Sequence, residues 1–308
     1  MFIQNTIDNN IDAKPFLKWA GGKSQLLNVL NKEFSTIINK NYVIDSYVEP
    51  FIGGGSLFFF LKSKYKINKS YLFDINSDLV LSYNVIKNYP YDLIETLSNI
   101  KNDYNKSNNK KDFYYNIREK FNIQGKNFSY DKENSILRTS YLIFLNKTCF
   151  NGLFRQNNKG EFNVPYSKYK NPEIFNIDNI LKVNKALKDA EIINNDFEKS
   201  LDYINKNTIV YFDPPYRPLN KTSNFSSYSK YGFNENDQLR LYDFINKIND
   251  KGAYIILSNS DPKNENNNDN FFDELYKNYT IKRVNSRRVI NSNGNKRGNI
   301  KELIITNF

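Results

Sequence analysis

An apolar run that stops at an acid, two prolines and an aromatic residue constrains the fold of this chain most strongly. The run is TIVYFDPPY at 208–216. Its first five residues are β-branched or aromatic, as in a buried β-strand. Proline has no N–H to donate to a neighbouring strand, so we expect the strand to end at Asp213.

Further strand-like runs precede and follow this one, with helical patterns between them. They lie at 45–51, 70–73, 190–193, 253–258 and 303–306. At 24–34, apolar residues recur on one helical face, and Ser24 is placed to cap that helix. Strands that alternate with helices predict an α/β fold with a mostly parallel sheet.

The end of the 208–212 strand is a candidate binding site, because ligands of open parallel sheets sit beyond the carboxyl ends of the strands. The Asp213 carboxylate, the Pro214 carbonyl and the Tyr216 ring would meet there. The two oxygens can accept both hydrogens of an amino group while the ring stacks on a flat base. The same residues also permit a simple proline turn in which Asp213 caps a neighbouring element.

Two features indicate a nucleoside-containing cofactor. The run VEPFIGGGS at 48–56 leads from a predicted strand through a glycine turn into a helix, where the backbone can approach a ligand closely. Asp74 follows Gly53 by 21 residues and ends the next predicted strand. An acid at this position is placed to bind ribose hydroxyls. The alternatives are a tight turn for the glycines and a helix cap for Asp74.

The run KPFLKWAGGK at 14–23 contains the only tryptophan of the chain, Trp19. Lys23 is predicted to start the helix that follows, where a cation opposes the helix dipole. This conflict suggests an anionic partner for Lys23, such as a carboxylate. Trp19 could equally be an anchor of the hydrophobic core.

Charge and composition narrow the possible functions. The net charge is +11, and residues 87–190 hold 18 basic against 11 acidic residues, while 281–301 hold seven basic residues and no acid. Two basic regions favour a polyanionic partner over a merely lysine-rich surface. With no histidine and one cysteine, Cys149, zinc sites and histidine catalysis are excluded, and we expect no metal. No apolar run suits a signal or a membrane span, so we expect a cytoplasmic protein.

Residues 87–188 differ in character from the rest and are predicted to form an inserted, mainly helical domain. The catalytic domain would then comprise 1–86 and 189–308. The polar stretch at 101–111 is predicted to be a loop or helix linker, and the apolar residues at 136–145 are predicted to form the core helix of the insertion. Asn158-Lys159-Gly160 predicts a hairpin turn between two extended segments.

The order of the motifs resembles that of the Dam-type DNA adenine-N6 methyltransferases, the alpha group of the D12 class. The likeness covers nearly the whole chain and is strongest to GATC-modifying enzymes of type II restriction–modification systems. It is carried by FLKWAGGK, VEPFIGGGS, DIN at 74–76, FNGLFR with GEFNVPY, NNDF at 194–197, TIVYFDPPY, LSNSDPKN at 257–264 and RRVINSNGNKRG at 287–298. The resemblance implies a Rossmann-like, S-adenosylmethionine-dependent methyltransferase sheet with an inserted target-recognition domain that carries a β-hairpin.

The resemblance also implies roles for individual residues. The catalytic motif is Asp213, Pro214, Pro215 and Tyr216, which would hold a flipped adenine and its N6 amino group. Residues that border S-adenosylmethionine would be Trp19, Lys23, Phe51, Gly53, Gly55, Asp74, Asp196, Phe197 and Asp213. Lys23 would pair with the methionine carboxylate and Asp74 with the ribose.

For target recognition the resemblance implies Phe150, Asn151, Leu153, Arg155 and Pro165. Arg155 matches an arginine that reads guanine, which suits bidentate Arg–guanine geometry. Phe150 replaces a common tyrosine and lacks its hydroxyl. Ordinary loop packing and a surface charge are the alternatives for these two residues.

The implied partners are double-stranded DNA and a cognate restriction endonuclease that acts on the same site without direct contact. The resemblance further implies a prokaryotic or phage-encoded origin. Alternative substrates are cytosine N4, an RNA adenine or a protein glutamine, although an acid at the start of DPPY favours adenine. A non-catalytic DNA-binding protein that retains the fold is a further alternative, against which the intact Lys23, Asp74 and Asp213 weigh.

Overall fold

The computed structural model describes residues 11–38, 43–217, 233–287 and 299–308. Nine helices lie in these ranges: α1 Leu27–Ile37, α2 Ser56–Lys64, α3 Ser77–Asn88, α4 Pro90–Lys106, α5 Lys110–Gln124, α6 Lys132–Thr148, α7 Ile177–Ala186, α8 Glu235–Asp250 and α9 Phe271–Leu275. The seven described strands are β1 Val43–Glu49, β2 Lys66–Asp74, β3 Ala190–Asn194, β4 Ile209–Phe212, β5 Tyr254–Ser260, β6 Thr280–Arg287 and β7 Asn299–Thr306.

The strands form one sheet in the order β3-β2-β1-β4-β5-β7-β6. Pairs among β1 to β5 are parallel, whereas β7 is antiparallel to both β5 and β6. This confirms the predicted α/β, Rossmann-like methyltransferase sheet. The predicted strand at 303–306 is present as part of β7, but its antiparallel direction was not predicted. The edge strand β6 was not predicted, because it is rich in charged residues, as exposed edge strands often are.

Both faces of the sheet are buried, which explains the nearly continuous apolar runs of its central strands. Alternate side chains of β4 enter two different cores: Ile209 and Tyr211 join one, while Val210 and Phe212 join the other. The first core also contains residues of α1 to α7, and the second contains residues of α8 and α9. The strand is thus held from both sides up to the residue before Asp213.

The segment 87–188 is mainly helical, and α6 is its central helix. Twelve of the 17 residues of α6 are buried, including the predicted core residues Ile136 and Leu145. The buried Arg138 of α6 pairs with Asp78 of α3, donates to the Phe121 carbonyl oxygen at 2.9 Å and stacks on the Phe121 ring. The packing of this segment therefore includes a charged pair that ties α6 to α3.

Two local predictions need correction. The helix predicted at 24–34 begins at Leu27, and its N-terminus has no side-chain cap, so Ser24 does not cap it. The polar stretch at 101–111 is mostly helical, because α4 extends to Lys106 and α5 begins at Lys110, which leaves a three-residue link. By contrast, the turn predicted at 158–160 is present: Gly160 has a φ of +77°, and an antiparallel bridge joins Gln156 to Phe162.

Candidate active site

The carboxyl edge of the sheet at β1 and β4 is where the candidate site lies. From β1 the chain continues to β2 and β3 on one side, while β4 and β5 lie on the other. Such a reversal opens a crevice beyond the strand ends, which is where open α/β sheets bind ligands. Asp213 follows β4 directly, and Asp74 is the last residue of β2.

Lys23, Asp213 and Tyr216 meet at this edge although Lys23 is 193 residues from Tyr216. The Lys23 Nζ atom lies 2.8 Å from Asp213 Oδ1 and donates to the Tyr216 hydroxyl oxygen at 2.7 Å. It also lies 4.6 Å from the centre of the Tyr216 ring. A buried ammonium group therefore holds the acid and the aromatic residue of the DPPY motif together.

Two further residues belong to this cluster and were not predicted. Glu302 of β7 accepts a hydrogen bond from the Tyr216 hydroxyl at 3.1 Å, and its Oε2 lies 4.0 Å from Lys23 Nζ. Ser258 of β5 bridges the Tyr211 hydroxyl at 2.7 Å and Asp213 Oδ1 at 3.4 Å. Ser258 lies in the LSNSDPKN motif, to which no site role was assigned, and Glu302 lies in none of the motifs. The order of the strands brings both residues to the site.

Burial and the ion pair shift the pKa values of Asp213 and Lys23 in opposite directions. Burial raises the pKa of Asp213, and attraction to the Lys23 ammonium offsets part of that rise. Burial disfavours the charged form of Lys23, but Asp213 and then Tyr216 and Glu302 outweigh it, so the Lys23 pKa is above its ordinary value. Lys23 therefore stays charged and favours the carboxylate form of Asp213.

The other DPPY residues are fixed by their surroundings. Pro214 is buried, Pro215 is exposed, and Tyr216 is 37% exposed. The Pro215 carbonyl oxygen accepts a hydrogen bond from Gln238 at 3.2 Å, and Gln238 in turn accepts one from Asn259. The motif is thus held by α8 and β5 while the Tyr216 ring keeps contact with solvent.

Asp74 and the glycine turn form a second part of the site. The Asp74 carboxylate accepts hydrogen bonds from the backbone N–H of Gly53 at 3.1 Å and of Asn76 at 2.9 Å. Burial raises the pKa of Asp74 to about 6, although these backbone donors oppose the rise. The cap of α3 is the Asn76 side chain, so Asp74 is not itself the cap residue.

The glycine turn at 53–55 is required by close packing. Gly55 precedes α2 with a φ of +72°, and a Cβ there would lie 2.6 Å from the Tyr83 hydroxyl oxygen. A side chain at this position would be strained and would clash. Trp19 packs over the turn, since a Cβ on Gly53 would lie 3.0 Å from its ring.

Aromatic residues line the next part of the edge. Phe51, Phe197 and Phe233 lie within 6.3 Å of one another, centre to centre. Asp196 caps the short 3-10 helix that begins at Phe197, and it pairs with Arg240 at 3.0 Å. The predicted cofactor residues Phe51, Asp196 and Phe197 are therefore brought together.

The five predicted recognition residues lie on one loop at 150–166. Phe150 is 52% exposed, Asn151, Arg155 and Pro165 are also exposed, and Leu153 is half-buried. The Phe150 N–H donates to the Pro165 carbonyl oxygen at 2.9 Å, which closes the loop. The second basic region lies mostly outside the described residues, since 288–298 is not described.

One prediction about Lys23 is wrong. Lys23 precedes α1 by four residues and does not begin it, so no unfavourable helix-dipole interaction needs a partner. The carboxylate that pairs with Lys23 in this structure belongs to Asp213. Lys23 thus has an acidic partner within the protein because both are buried beside β4, and its pairing with the methionine carboxylate stays a prediction.

Two kinds of feature are absent from the described residues. Within them, no group of three or more His, Cys, Asp or Glu side chains could hold a metal ion. The same part of the chain has no helix that is long and apolar enough to cross a bilayer.

Comparisons with known proteins identify the family of this chain. Residues 19–290 match the family model of the D12 class N6 adenine-specific DNA methyltransferases. The chain is 46% identical over 301 residues to the type II methyltransferase M.MjaIII of Methanocaldococcus jannaschii, covering 97% of this chain and 100% of that protein.

Two bacterial relatives are similar over almost the same length. The type II methyltransferase M1.LlaDCHI of Lactococcus lactis is 36% identical, with 97% of each chain covered. The DNA adenine methylase of Haemophilus influenzae is 36% identical, with 94% of this chain and 92% of that protein covered. The family inferred from the order of the motifs is confirmed: this chain belongs to the D12 class of N6 adenine-specific DNA methyltransferases.

Proposed function

We propose that this enzyme transfers a methyl group from S-adenosylmethionine to N6 of an adenine that is flipped out of a DNA duplex. The observation that carries the proposal is the contact of Lys23 with both Asp213 and Tyr216, at 2.8 and 2.7 Å. It places a carboxyl group that is paired with an ammonium group next to a partly exposed aromatic ring. A flat base with an exocyclic amino group suits both.

The donor set at the carboxyl edge fits S-adenosylmethionine. The Asp74 carboxylate can accept from ribose hydroxyls, and the Phe51 and Phe197 rings can border an adenine. Trp19, Gly53 and Gly55 would line the methionine side, and Lys23 would attract its carboxylate. When bound, the cofactor supplies a methyl group on a positively charged sulfur.

The hydrogen-bond acceptors of DPPY can make the adenine amino group a better nucleophile. The N6 lone pair is delocalised into the ring, so a planar amine reacts poorly. Asp213 and the Pro214 carbonyl accept hydrogen bonds from the two N6–H groups, which favours a tetrahedral nitrogen with its lone pair directed away from the ring. As the new N–C bond replaces the S–C bond, the extra N6 proton is released to solvent. Tyr216 stacks on the base and fixes its position, and such positioning accounts for much of the acceleration.

The base must leave the helix to reach these residues. Its N6 group is paired inside a duplex, and extruding a base costs a few kcal/mol. The exposed Phe150 ring, 52% accessible, is the residue we assign to the gap beside the extruded base. A phenyl ring can stack there without the hydroxyl of the usual tyrosine.

We assign target recognition to a domain at 87–188, inserted between 1–86 and 189–308, and the recognition sequence to GATC. Arg155 is exposed, and its Nε donates to Asn163 Oδ1 at 2.8 Å, which orients the guanidinium group. An oriented arginine can donate two hydrogen bonds to a guanine edge. Asn151, Leu153 and Pro165 lie on the same loop and would contact the neighbouring bases.

The biological setting we propose is a restriction–modification system, with a cognate endonuclease that cuts the same site when it is unmethylated. Two of the similar proteins are named type II methyltransferases, which supports this setting. Methylation would then protect the host DNA.

One experiment tests the proposal. The purified protein is incubated with labelled S-adenosylmethionine and three duplexes: one with GATC, one with a one-base variant, and one with GATC already N6-methylated on both strands. We expect incorporation only into the first. Equal labelling of the variant would contradict GATC, and labelling of the fully methylated duplex would contradict adenine N6 as the acceptor.

A further inference from the structure

Asn146 of α6 is completely buried and makes three hydrogen bonds that the proposed chemistry does not use. Its Oδ1 accepts from the Lys18 N–H at 2.8 Å, and its Nδ2 donates to the Lys18 carbonyl oxygen at 2.9 Å. The same Nδ2 donates to the Gly152 carbonyl oxygen at 2.9 Å. One amide thus holds two segments that are far apart in the sequence.

The two segments carry different proposed roles. Lys18 lies in FLKWAGGK, beside Trp19 and near Lys23, and so belongs to the cofactor side. Gly152 lies in FNGLFR, between Asn151 and Leu153 on the recognition loop. Asn146 therefore connects the backbone of the cofactor segment to the backbone of the recognition loop.

Two other contacts bring the same segments together. The Trp19 and Phe154 rings stack with their centres 5.3 Å apart and an interplanar angle of 25°. Gly152 has a φ of +63°, and a Cβ there would lie 2.2 Å from Lys18 Cδ. The loop backbone can approach Lys18 this closely only because residue 152 has no side chain.

A buried amide with three partners is costly to replace. Removing it leaves the Lys18 N–H and two carbonyl oxygens without that partner, and polar groups withdrawn from water are destabilising when unpaired. The segments would then move apart or admit water. Either response changes the position of Trp19 relative to Phe154.

We propose that Asn146 is a positioning residue that couples cofactor binding to target recognition. It links the backbone of the FLKW segment to that of the FNGLFR loop, so that the two segments shift together between their free and bound arrangements and binding at either one favours the bound form of the other. This inference rests on the proposed function for the roles of the two segments. The coupling itself is a property of binding and can be measured without methyl transfer.

Asn179 of α7 provides a matched control. Its Oδ1 accepts from the Lys14 N–H at 2.9 Å and its Nδ2 donates to the Lys14 carbonyl oxygen at 3.0 Å, which is the same pair of bonds on the same N-terminal segment. Its side-chain hydrogen bonds are to Lys14 and do not join that segment to the recognition loop. Asn179→Leu should therefore loosen the segment without uncoupling the two sites.

The test uses the whole protein and an unreactive probe, S-adenosylhomocysteine. Its affinity is measured by calorimetry with and without an unmethylated GATC duplex, for the wild type, Asn146→Leu, Gly152→Ala and Asn179→Leu. We expect DNA to tighten binding to the wild type about ten-fold, and this factor to fall towards one in Asn146→Leu and Gly152→Ala. Asn179→Leu should keep it.

Trp19 gives a second readout, because it is the only tryptophan of the chain. DNA alone should change its emission in the wild type and in Asn179→Leu, and should change it much less in Asn146→Leu. If Asn146→Leu fails to fold, Gly152→Ala decides by the same two measurements. A wild type without coupling, or a folded Asn146→Leu with wild-type coupling, overturns the proposal. Coupling without methylation of any DNA would instead contradict the proposed function.

Discussion

The cluster at the end of β4 and the loop at 150–166 are held in place by different kinds of contact. In the cluster, the charged side chains of Lys23, Asp213 and Glu302 contact one another or Tyr216, and each is largely buried. The loop has no such cluster of charges: its backbone bonds join the Phe150 N–H to the Pro165 carbonyl and the Asn163 N–H to the Arg155 carbonyl. Neutral side chains complete its support, since the Asn146 amide donates to the Gly152 carbonyl and the Phe154 ring stacks on Trp19. Its candidate recognition side chains are mostly exposed.

This difference matches two different tasks. We propose that Asp213 accepts hydrogen bonds from a substrate amino group at a set position. Charges fixed before the substrate arrives favour this task, because the side chains then need no reorganisation. A loop that reads a surface benefits from a backbone scaffold that leaves its side chains accessible. Side chains on such a loop can be exchanged with little effect on the fold, whereas each member of the cluster supports the others.

The largest effect is expected from Asp213→Ala, which removes the acid of the cluster. Methyl transfer should fall by at least about 10³-fold, because a preorganised acceptor at the reacting atom is lost. Binding of S-adenosylmethionine, measured by calorimetry, should remain detectable. Turnover close to that of the wild type would show that Asp213 is not the N6 acceptor.

Arg138→Met tests whether the 87–188 segment depends on a buried charge of its own. Arg138 is 8% exposed and pairs with Asp78, so its removal leaves a buried carboxylate without this partner. Breaking such a pair lowers the free energy of unfolding by about 3–5 kcal/mol. Denaturant unfolding measures this change, and Lys132→Met, which breaks an exposed pair with Asp92, is the control. If the free energy of unfolding fell by the same small amount in both variants, the buried pair would contribute no more than the exposed pair.

Arg155→Ala tests whether a side chain of the loop can be exchanged without an effect on the fold. The variant should fold as the wild type does and lose about 1–3 kcal/mol of discrimination at one base. Lys159→Ala removes a positive charge from the same hairpin and should weaken binding to all sequences alike. Methylation rates on a set of one-base variants of GATC measure both effects. An unchanged ranking of sites in Arg155→Ala would refute its assignment to base reading.

The smallest effect concerns pH and Asp74. Burial raises the pKa of Asp74 to about 6, so the carboxylate is lost as the pH falls through that value. A protonated acid accepts hydrogen bonds poorly, and the affinity for S-adenosylmethionine should fall about ten-fold for each pH unit below 6. Asp74→Asn should bind weakly at every pH without this slope. A wild-type affinity that is constant from pH 7 to 5 would contradict the ribose assignment.

Much of the fold could be predicted because it depends on local signals. The strands at 190–193, 208–212 and 303–306 were located by their apolar residues, and the turn at 158–160 by its glycine. β6 was missed because Lys282 and Arg283 on an edge strand look like part of a basic surface segment. The ends of helices were the weakest predictions, as at Lys106, where a polar helix terminus resembles a loop.

The candidate site could be predicted only in part. Motif order located Lys23, Asp74 and Asp213, since each lies beside glycines, prolines or a strand end. Glu302 lies in none of the motifs, and Ser258 lies in LSNSDPKN, which gave it no role. Their place in the site follows from β5 lying beside β4 and β7 beside β5. Asn146 likewise looks like any polar residue of a helix until its three partners are seen.

The sequence by itself determined where strands end, where the chain turns and which runs are buried. Two prolines without an N–H end β4 after Phe212, and glycine is needed at position 55, where φ is +72°. The prolines and the backbone angle of Gly55 are local constraints, while the close approach of Tyr83 to Gly55 is a tertiary one. The tertiary structure decided which charges meet: Lys23 pairs with Asp213 because both are withdrawn from water at the same strand end, 190 residues apart in the chain. The strength of such a pair depends on distance and burial, which no local pattern specifies.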